Sequence, residues 1–231
     1  MKTSDLGILL NRISYGENSL IATFFTEKSG IQKYLFLGGK KKVGNLFPLG
    51  IYELTFYKKP SSDLGKVDQA ILVNSMNDIF NNPIKSVITF FVAEIIYQSI
   101  KSEEKDSELW FFITNQINKL ELETQVKTYP IFFLLNFIIH TGLKPLVEHN
   151  NSGYFDLEQG VFTSNPINLS RSINSEASSV IRNYFLEVGV NFELLNKHSS
   201  EIIEILIFYL TIHTPNFKGS KSLKLAREIL N

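Results

Sequence analysis

The sequence predicts an α+β protein of two domains, a five-stranded β-barrel followed by a mainly α-helical domain with a small β-hairpin insertion. Between residues 7 and 75, short β-rich segments alternate with turns at regular spacing, as in small closed barrels. From Pro83 onward, apolar residues recur every three or four positions, which is the period of an amphipathic helix. We therefore place the two domains at residues 1–80 and 81–231.

The strands are predicted from apolar, β-branched and aromatic runs that end at turn residues. Their expected ranges are 7–15, 20–25, 31–37, 46–58 and 66–73. The second and third strands should form a hairpin, and Gly50 marks a bulge or sharp bend in the fourth strand. Residues 38–45, Gly-Gly-Lys-Lys-Lys-Val-Gly-Asn, are too rich in glycine and charge to be anything but a loop.

The second domain is predicted to be built around one unusually apolar helix. Pro130 suits the first turn of this helix, Gly142 ends it, and residues 131–139 are apolar nearly all round. We expect it to lie at the buried centre of the domain, with His140 as a hydrogen-bonded core histidine. A small β-hairpin at about 150–165 should stand off the helices. The other helices are expected from Pro83 and over 108–122, 175–188, 199–213 and 220–230.

Charge is unevenly distributed although the chain is neutral overall, with 23 basic and 23 acidic residues. Residues 1–60 hold nine lysines and arginines against four acidic residues, and residues 94–126 hold three against seven. A basic segment of this kind is typical of a surface that binds a polyanion. A solvated surface with uneven patches explains the charges alone equally well.

Some classes of protein are excluded by what the chain lacks. Without cysteine it can form neither disulfides nor thiolate metal sites, which fits a reducing compartment. The N-terminal apolar stretch ends after Leu10, too early for a signal peptide. The apolar runs 131–139 and 202–212 fall short of the ~20 residues of a membrane helix. We expect a cytoplasmic, nucleoid-associated protein that does not bind membranes.

Motifs for catalysis and metal binding are also missing. The chain has no phosphate-binding G-x-x-x-x-G-K-[ST], no dinucleotide-binding G-x-G-x-x-G and no nucleophile-elbow G-x-S-x-G. Its four histidines, His140, His149, His198 and His213, do not have the spacing of metal ligands. We expect a protein that is not an enzyme and holds neither a cofactor nor a metal.

The basic, aromatic barrel is the candidate binding surface. Small barrels bind single-stranded nucleic acids by combining a cationic groove with aromatic rings on which bases stack. Because side chains alternate along a strand, Tyr34, Phe56 and Tyr57 are in part core residues in an alternative interpretation. The predicted nucleic-acid-binding residues are Arg12, Lys33, Tyr34, Lys40, Lys41, Lys42, Lys58 and Lys59.

Several motifs resemble those of RecO proteins, in the same order along the chain. Tyr-Gly-Glu at 15–17 and Phe-Thr-Glu-Lys-Ser-Gly at 25–30 are similar to the family's aromatic-Gly/Ser-Glu turn and its Phe-Thr-Glu-x-x-Gly strand end. Gly-Gly-Lys-Lys-Lys at 38–42 resembles its Lys-Gly-Ala-Arg-Lys loop, with lysine in place of arginine. Leu-Phe-Pro-Leu at 46–49 resembles its Leu-Gln-Pro-Phe. Weaker similarities follow at 134–142 and 221–227.

The resemblance implies an OB-type barrel followed by a helical domain, and a role in DNA repair and recombination. It implies a mediator that binds single- and double-stranded DNA, anneals complementary strands and helps RecA to displace single-stranded DNA-binding protein (SSB). The implied partners are RecR and the acidic C-terminal tail of SSB. For that tail we expect a basic surface at Lys218, Lys221, Lys224 and Arg227. A solvated last helix explains these four charges at least as well.

One departure from the family concerns zinc. Many RecO proteins carry a four-cysteine zinc site in the segment corresponding to residues 145–166, and this chain has no cysteine. We therefore expect the hairpin to be held without zinc, by packing of Tyr154, Phe155 and Phe162. The small number of arginines also predicts weaker and strongly salt-sensitive DNA binding.

Two other functions remain open. A protein-interaction adaptor would dock partners through the barrel and helices and would not bind a labelled oligonucleotide. An RNA-associated OB protein would prefer RNA, which phosphate contacts and stacking alone do not predict.

Overall fold

The computed structural model of the chain describes residues 2–38, 46–59, 62–148 and 153–224. The chain divides into two compact units, Met1–Glu123 and Thr124–Asn231. Among the described residues, the first unit contains five strands and three helices, and the second contains four short strands and four helices. The domain division at residue 80 stays a prediction, and the first unit also includes the helices that directly follow that residue.

The five N-terminal strands close into a barrel, which confirms the predicted fold class. Their bounds are β1 Lys2–Tyr15, β2 Ser19–Thr26, β3 Gly30–Phe36, β4 Ile51–Tyr57 and β5 Leu64–Leu72. The strands follow the order β1-β2-β3-β5-β4, and β4 pairs back onto β1. The β3–β5 pair is parallel, whereas the other four pairs are antiparallel. The long β1 joins the two ends because its first half pairs with β4 and its second half with β2.

The fourth strand begins later than predicted. The expected strand began at residue 46, whereas β4 begins at Ile51, because residues 46–50 form a turn. Leu49 adopts a left-handed backbone with φ of 62°, and the N–H of Gly50 donates to the carbonyl of Phe47 at 3.0 Å. The predicted bend at Gly50 therefore precedes the strand instead of interrupting it.

The barrel core consists of aromatic and aliphatic side chains that alternate along the strands. Phe24 packs edge-on against Tyr34 and Tyr52, with ring centroids 5.9 and 6.0 Å apart. Residues between the core positions face outward, because neighbours along a strand point to opposite sides. The buried members of the core are Leu9, Leu20, Ala22, Phe24, Tyr34, Leu46, Tyr52, Leu54 and Phe56.

Three helices complete the first unit. Their bounds are α1 Asn77–Asn81, α2 Pro83–Ser99 and α3 Ser107–Leu122. α2 begins at the predicted proline, and the side chain of Asn82 caps it by accepting the N–H groups of Ile84 and Lys85. α2 packs against β1, and the Trp110 ring of α3 lies 6.0 Å from the Phe25 ring of β2. The short α1 has no counterpart in the prediction.

The second unit is built around α4, Tyr129–His140, whose side chains are buried along most of its length, as predicted. The other helices are α5 Glu176–Phe185, α6 Phe192–Lys197 and α7 Ser199–His213. α4 and α5 both pack against α7. α5 ends before the predicted residue 188, since Glu187 adopts a left-handed backbone with φ of 59°. α6 was not predicted, and the described part of the expected last helix ends at residue 224.

The prediction that His140 is a core histidine is wrong. It is the last residue of α4 and it is exposed, because burial along this helix ends at Ile138. Its polar ring therefore lies where the helix leaves the core.

A small sheet in the second unit contains the predicted hairpin. Its strands are β6 Leu146–Val147, β7 Tyr154–Asp156, β8 Val161–Thr163 and β9 Ser172–Ile173, in the order β6-β8-β7-β9. The rings of Phe155 and Phe162 stack with centroids 4.2 Å apart, and Tyr209 of α7 lies 5.3 Å from Phe155. Packing through Phe155 and Phe162 is confirmed, whereas Tyr154 is only partly buried.

Candidate nucleic-acid interface

A line of side chains crosses the outside of the barrel. Leu35 of β3 pairs with Lys66 of β5, Lys66 pairs with Tyr57 of β4, and Tyr57 pairs with Lys2 of β1. Directly opposed residues in a sheet point to the same face, so these side chains are neighbours. The intervening Phe56 points into the core, which leaves this line facing outward. We call Leu35, Lys66, Tyr57 and Lys2 the barrel row.

The barrel row combines cations with an accessible ring. Tyr57 is 49% exposed, Lys66 is exposed, and the side chain of Lys2 is 49% exposed. Lys2 binds the carboxylate of Asp68 at 2.6 Å, and this hydrogen bond raises the pKa of Lys2. Asp68 balances one positive charge, so Lys66 supplies the net positive charge of the row beside Tyr57.

Two further lysines extend this surface. Lys33 is exposed on β3, on the same outward face as Leu35 two residues later. The N–H of Ile31 donates to the carbonyl of Ser102 at 2.9 Å, which holds the connection between α2 and α3 against β3. Burial, and then the positive charge of Lys33, lowers the pKa of Lys101. The Lys101 ammonium donates to the carbonyl of Tyr97 at 2.7 Å, so the α2–α3 connection adds a second lysine to this part of the surface.

The other predicted cations of the barrel have different surroundings. Lys59 is exposed directly after β4, where the prediction placed it. Lys58 is half-buried, and its ammonium donates to the side-chain oxygen of Gln32 at 2.6 Å. Arg12 is also half-buried, and its guanidinium donates to the carbonyl of Leu46 at the turn before β4. Lys58 thus ties the segment after β4 to β3, and Arg12 ties β1 to the turn before β4.

Tyr34 does not reach the outer surface. It is 1% exposed inside the barrel, where it packs on Phe24 and lies 4.7 Å from the Phe56 ring. Burial raises the pKa of its hydroxyl. A ring enclosed by the core cannot stack on a base, so we leave Tyr34 out of the candidate interface and retain Tyr57.

Four of the predicted cations lie outside the described residues: Lys40, Lys41, Lys42 and Arg227. Of the set proposed for an acidic peptide, Lys218, Lys221 and Lys224 are exposed in the second unit. Their roles stay predictions.

Sequence reasoning missed three cations of the candidate interface, Lys2, Lys66 and Lys101. Lys66 lies in a predicted strand, but only its pairing with Tyr57 shows that the two share a face. The position of Lys101 depends on the hydrogen bond between Ile31 and Ser102, two residues that are far apart in the sequence. Strand alternation alone would have selected Tyr57 as the outward neighbour of the buried Phe56.

The structure carries neither a metal centre nor a membrane-crossing helix in the segments that it describes. Within 2–38, 46–59, 62–148 and 153–224, no three histidine, aspartate or glutamate side chains gather as metal ligands do. None of the helices in these segments combines the length and the apolarity needed to cross a bilayer.

The chain is similar to known proteins over its full length. Residues 1–76 match the family model described as "Recombination protein O N terminal". A "DNA repair protein RecO" of Flavobacterium psychrophilum is 26% identical over 100% of both chains. The protein of that name from Bacteroides fragilis is 26% identical, also over 100% of both, and that from Azobacteroides pseudotrichonymphae is 26% identical over 97% of each. The N-terminal third of the chain thus matches the RecO family model, and the whole chain is similar to proteins named DNA repair protein RecO.

The segment that matches the RecO family model coincides with the barrel. It covers all five strands, from β1 to the end of β5, and the barrel is of the OB type. The barrel row, Lys33 and Lys59 therefore all belong to the matched RecO domain. Chemically, this surface offers ammonium groups for phosphates and one phenol ring for an unpaired base.

Proposed function

We propose that this chain is a RecO-family DNA repair and recombination protein that binds single- and double-stranded DNA on the outer face of its barrel. End-to-end similarity to proteins named DNA repair protein RecO supports the biological role. The barrel row is the observation that carries the DNA site, because it aligns Lys66 and Tyr57 next to Lys33 on one exposed face. Lys40, Lys41 and Lys42 are proposed to add to this site.

The proposed activity is annealing of complementary strands and loading of RecA onto SSB-coated DNA together with RecR. Annealing makes no covalent bond, so it needs only a surface that screens the repulsion between two phosphate backbones and raises their local concentration. Exposed lysines on one barrel face meet this requirement. The family's proposed contact with the acidic SSB tail would use Lys218, Lys221, Lys224 and Arg227 in the second unit.

Fluorescence anisotropy with a labelled oligonucleotide tests the proposed DNA site. The double variant Lys33→Ala/Lys66→Ala removes two exposed cations, and the matched control Lys105→Ala/Lys119→Ala removes two exposed lysines outside the barrel. Each phosphate contact contributes a salt slope of about 0.7 for a single strand, which is roughly fivefold in affinity at 0.1 M salt. We expect the first variant to lose about 25-fold in affinity and to show a flatter salt dependence.

Three results would count against the proposal. Equal affinity of the two double variants for the oligonucleotide would show that the barrel face is not the DNA site. A wild-type protein that binds no oligonucleotide even at low salt would favour the adaptor. A clear preference for RNA of the same sequence would favour the RNA-binding alternative.

A further inference from the structure

A second group of aromatic side chains lies outside the barrel wall. The ring of Phe47, in the turn before β4, is flanked by Phe80 of α1 and Phe90 of α2, with centroids 4.8 and 5.7 Å away. Both contacts are edge-to-face, which is a favourable geometry for aromatic pairs. Phe80 and Phe90 nevertheless remain 47% and 46% exposed. We call these three residues the phenylalanine cluster.

The backbone beneath the cluster is fixed. The N–H of Phe47 donates to the Tyr52 hydroxyl at 2.7 Å, and the N–H of Phe80 donates to the carbonyl of Met76 at 2.9 Å. Phe90 lies within the continuous helix α2. Rings held in this way lose little conformational freedom when another flat surface covers them.

A positive charge lies next to the cluster. Arg12 donates to the carbonyl of Leu46, the residue directly before Phe47. The nearby acid of α1, Asp78, is bound by the buried Lys85. A positive charge beside exposed aromatic rings suits a polyanion that also carries flat apolar groups.

We propose that the phenylalanine cluster is a stacking platform for unpaired bases of single-stranded DNA, with Arg12 beside it for the neighbouring phosphate. Stacking on aromatic side chains is available to any unpaired base, whereas the bases of a duplex are already stacked on each other. The proposal rests on the proposed DNA-binding function and adds a site that discriminates single strands from duplex. A protein partner would also cover exposed rings, but it would not require the adjoining cation.

Binding of oligo(dT) and of a duplex of equal length, measured by anisotropy, tests this site. Phe80→Ala and Phe90→Ala each remove one exposed ring, and Phe111→Ala is the matched control, because Phe111 is 67% exposed on α3 outside the cluster. We expect each cluster variant to lose about tenfold in affinity for oligo(dT), within the range for one stacked base. Affinity for the duplex, and both affinities of the control, should stay unchanged.

The variant Phe90→Trp provides a second readout, since it keeps a ring for stacking and adds a fluorophore. It should retain wild-type affinity, and its fluorescence should fall more on binding oligo(dT) than that of the wild type, whose one tryptophan is Trp110. Wild-type affinity of Phe80→Ala and Phe90→Ala would overturn the platform while leaving the proposed function intact. Equal losses for oligo(dT) and duplex would overturn it as well. Failure of the wild-type protein to bind any DNA would instead remove the proposed function, and this inference with it.

Discussion

Asp156 is a charged side chain that is 1% exposed, and its carboxylate organises the turns of the small sheet. One oxygen accepts the N–H groups of Glu158 and Gln159, and the other accepts that of Ile167, each at 3.1 Å. The sequence predicts that packing of aromatic rings alone holds this segment in place of zinc. The structure adds a carboxylate that ties the β7–β8 turn to residue 167, a contact that no residue pattern indicates.

Replacing Asp156 tests how much this carboxylate contributes. Asp156→Ala leaves three backbone N–H groups without their acceptor, and each unsatisfied buried group costs about 1–3 kcal/mol. We expect a loss of roughly 3 kcal/mol in the free energy of unfolding, measured by urea denaturation followed by circular dichroism. Asp156→Asn retains one acceptor oxygen and should lose about half as much. A change below about 0.5 kcal/mol in Asp156→Ala would show that water or backbone movement satisfies these groups.

Among the secondary-structure elements, those set by local sequence were predicted correctly, whereas the turn before β4 was not. The hairpin of β2 and β3 and the apolar helix α4 follow from nearby residues, and the structure confirms both. The start of β4 was predicted too early because Leu46, Phe47 and Leu49 resemble a strand in composition. Their apolar side chains instead fill the barrel core and contact α1 and α2, while Leu49 turns the backbone.

The junction of α5, α6 and α7 predicts a dependence of stability on pH. Hydrogen bonds from Lys197 at 2.8 Å and His198 at 2.7 Å lower the pKa of Glu176 below its ordinary value of 4.5. A carboxyl whose pKa is lower in the folded state stabilises the fold above its unfolded value, and this contribution is lost as the pH falls through the folded-state pKa.

Glu176→Gln should therefore destabilise the protein at pH 7, and its difference from the wild type should shrink as the pH falls through the folded-state pKa of Glu176. Urea denaturation at several pH values measures the two curves, with Glu193→Gln of α6 as the exposed control. Parallel curves for wild type and Glu176→Gln between pH 7 and pH 3 would contradict this assignment.

At the scale of the whole molecule, the fold class was predictable but the binding face was only partly so. The hydrophobic period of the sequence predicts a barrel followed by helices, and its motifs resemble those of RecO proteins. The neighbours of Tyr57 were not predictable, because they depend on which strands pair with β4. Lys66 lies on β5, the next strand in the sequence, whereas Lys2 lies on β1, the first strand. Tyr34 shows the converse, since its residue type suits a base but its position on β3 faces the core.

Annealing of SSB-coated complementary strands is the most direct test of the central claim, that this chain is a RecO-type mediator acting through its barrel face. The rate can be followed with a donor and an acceptor fluorophore on the two strands, with and without RecR. We predict that the wild-type protein accelerates annealing, that Lys33→Ala/Lys66→Ala largely loses this effect, and that Lys105→Ala/Lys119→Ala retains it. Absence of acceleration by a wild-type protein that binds both strands would contradict the claim.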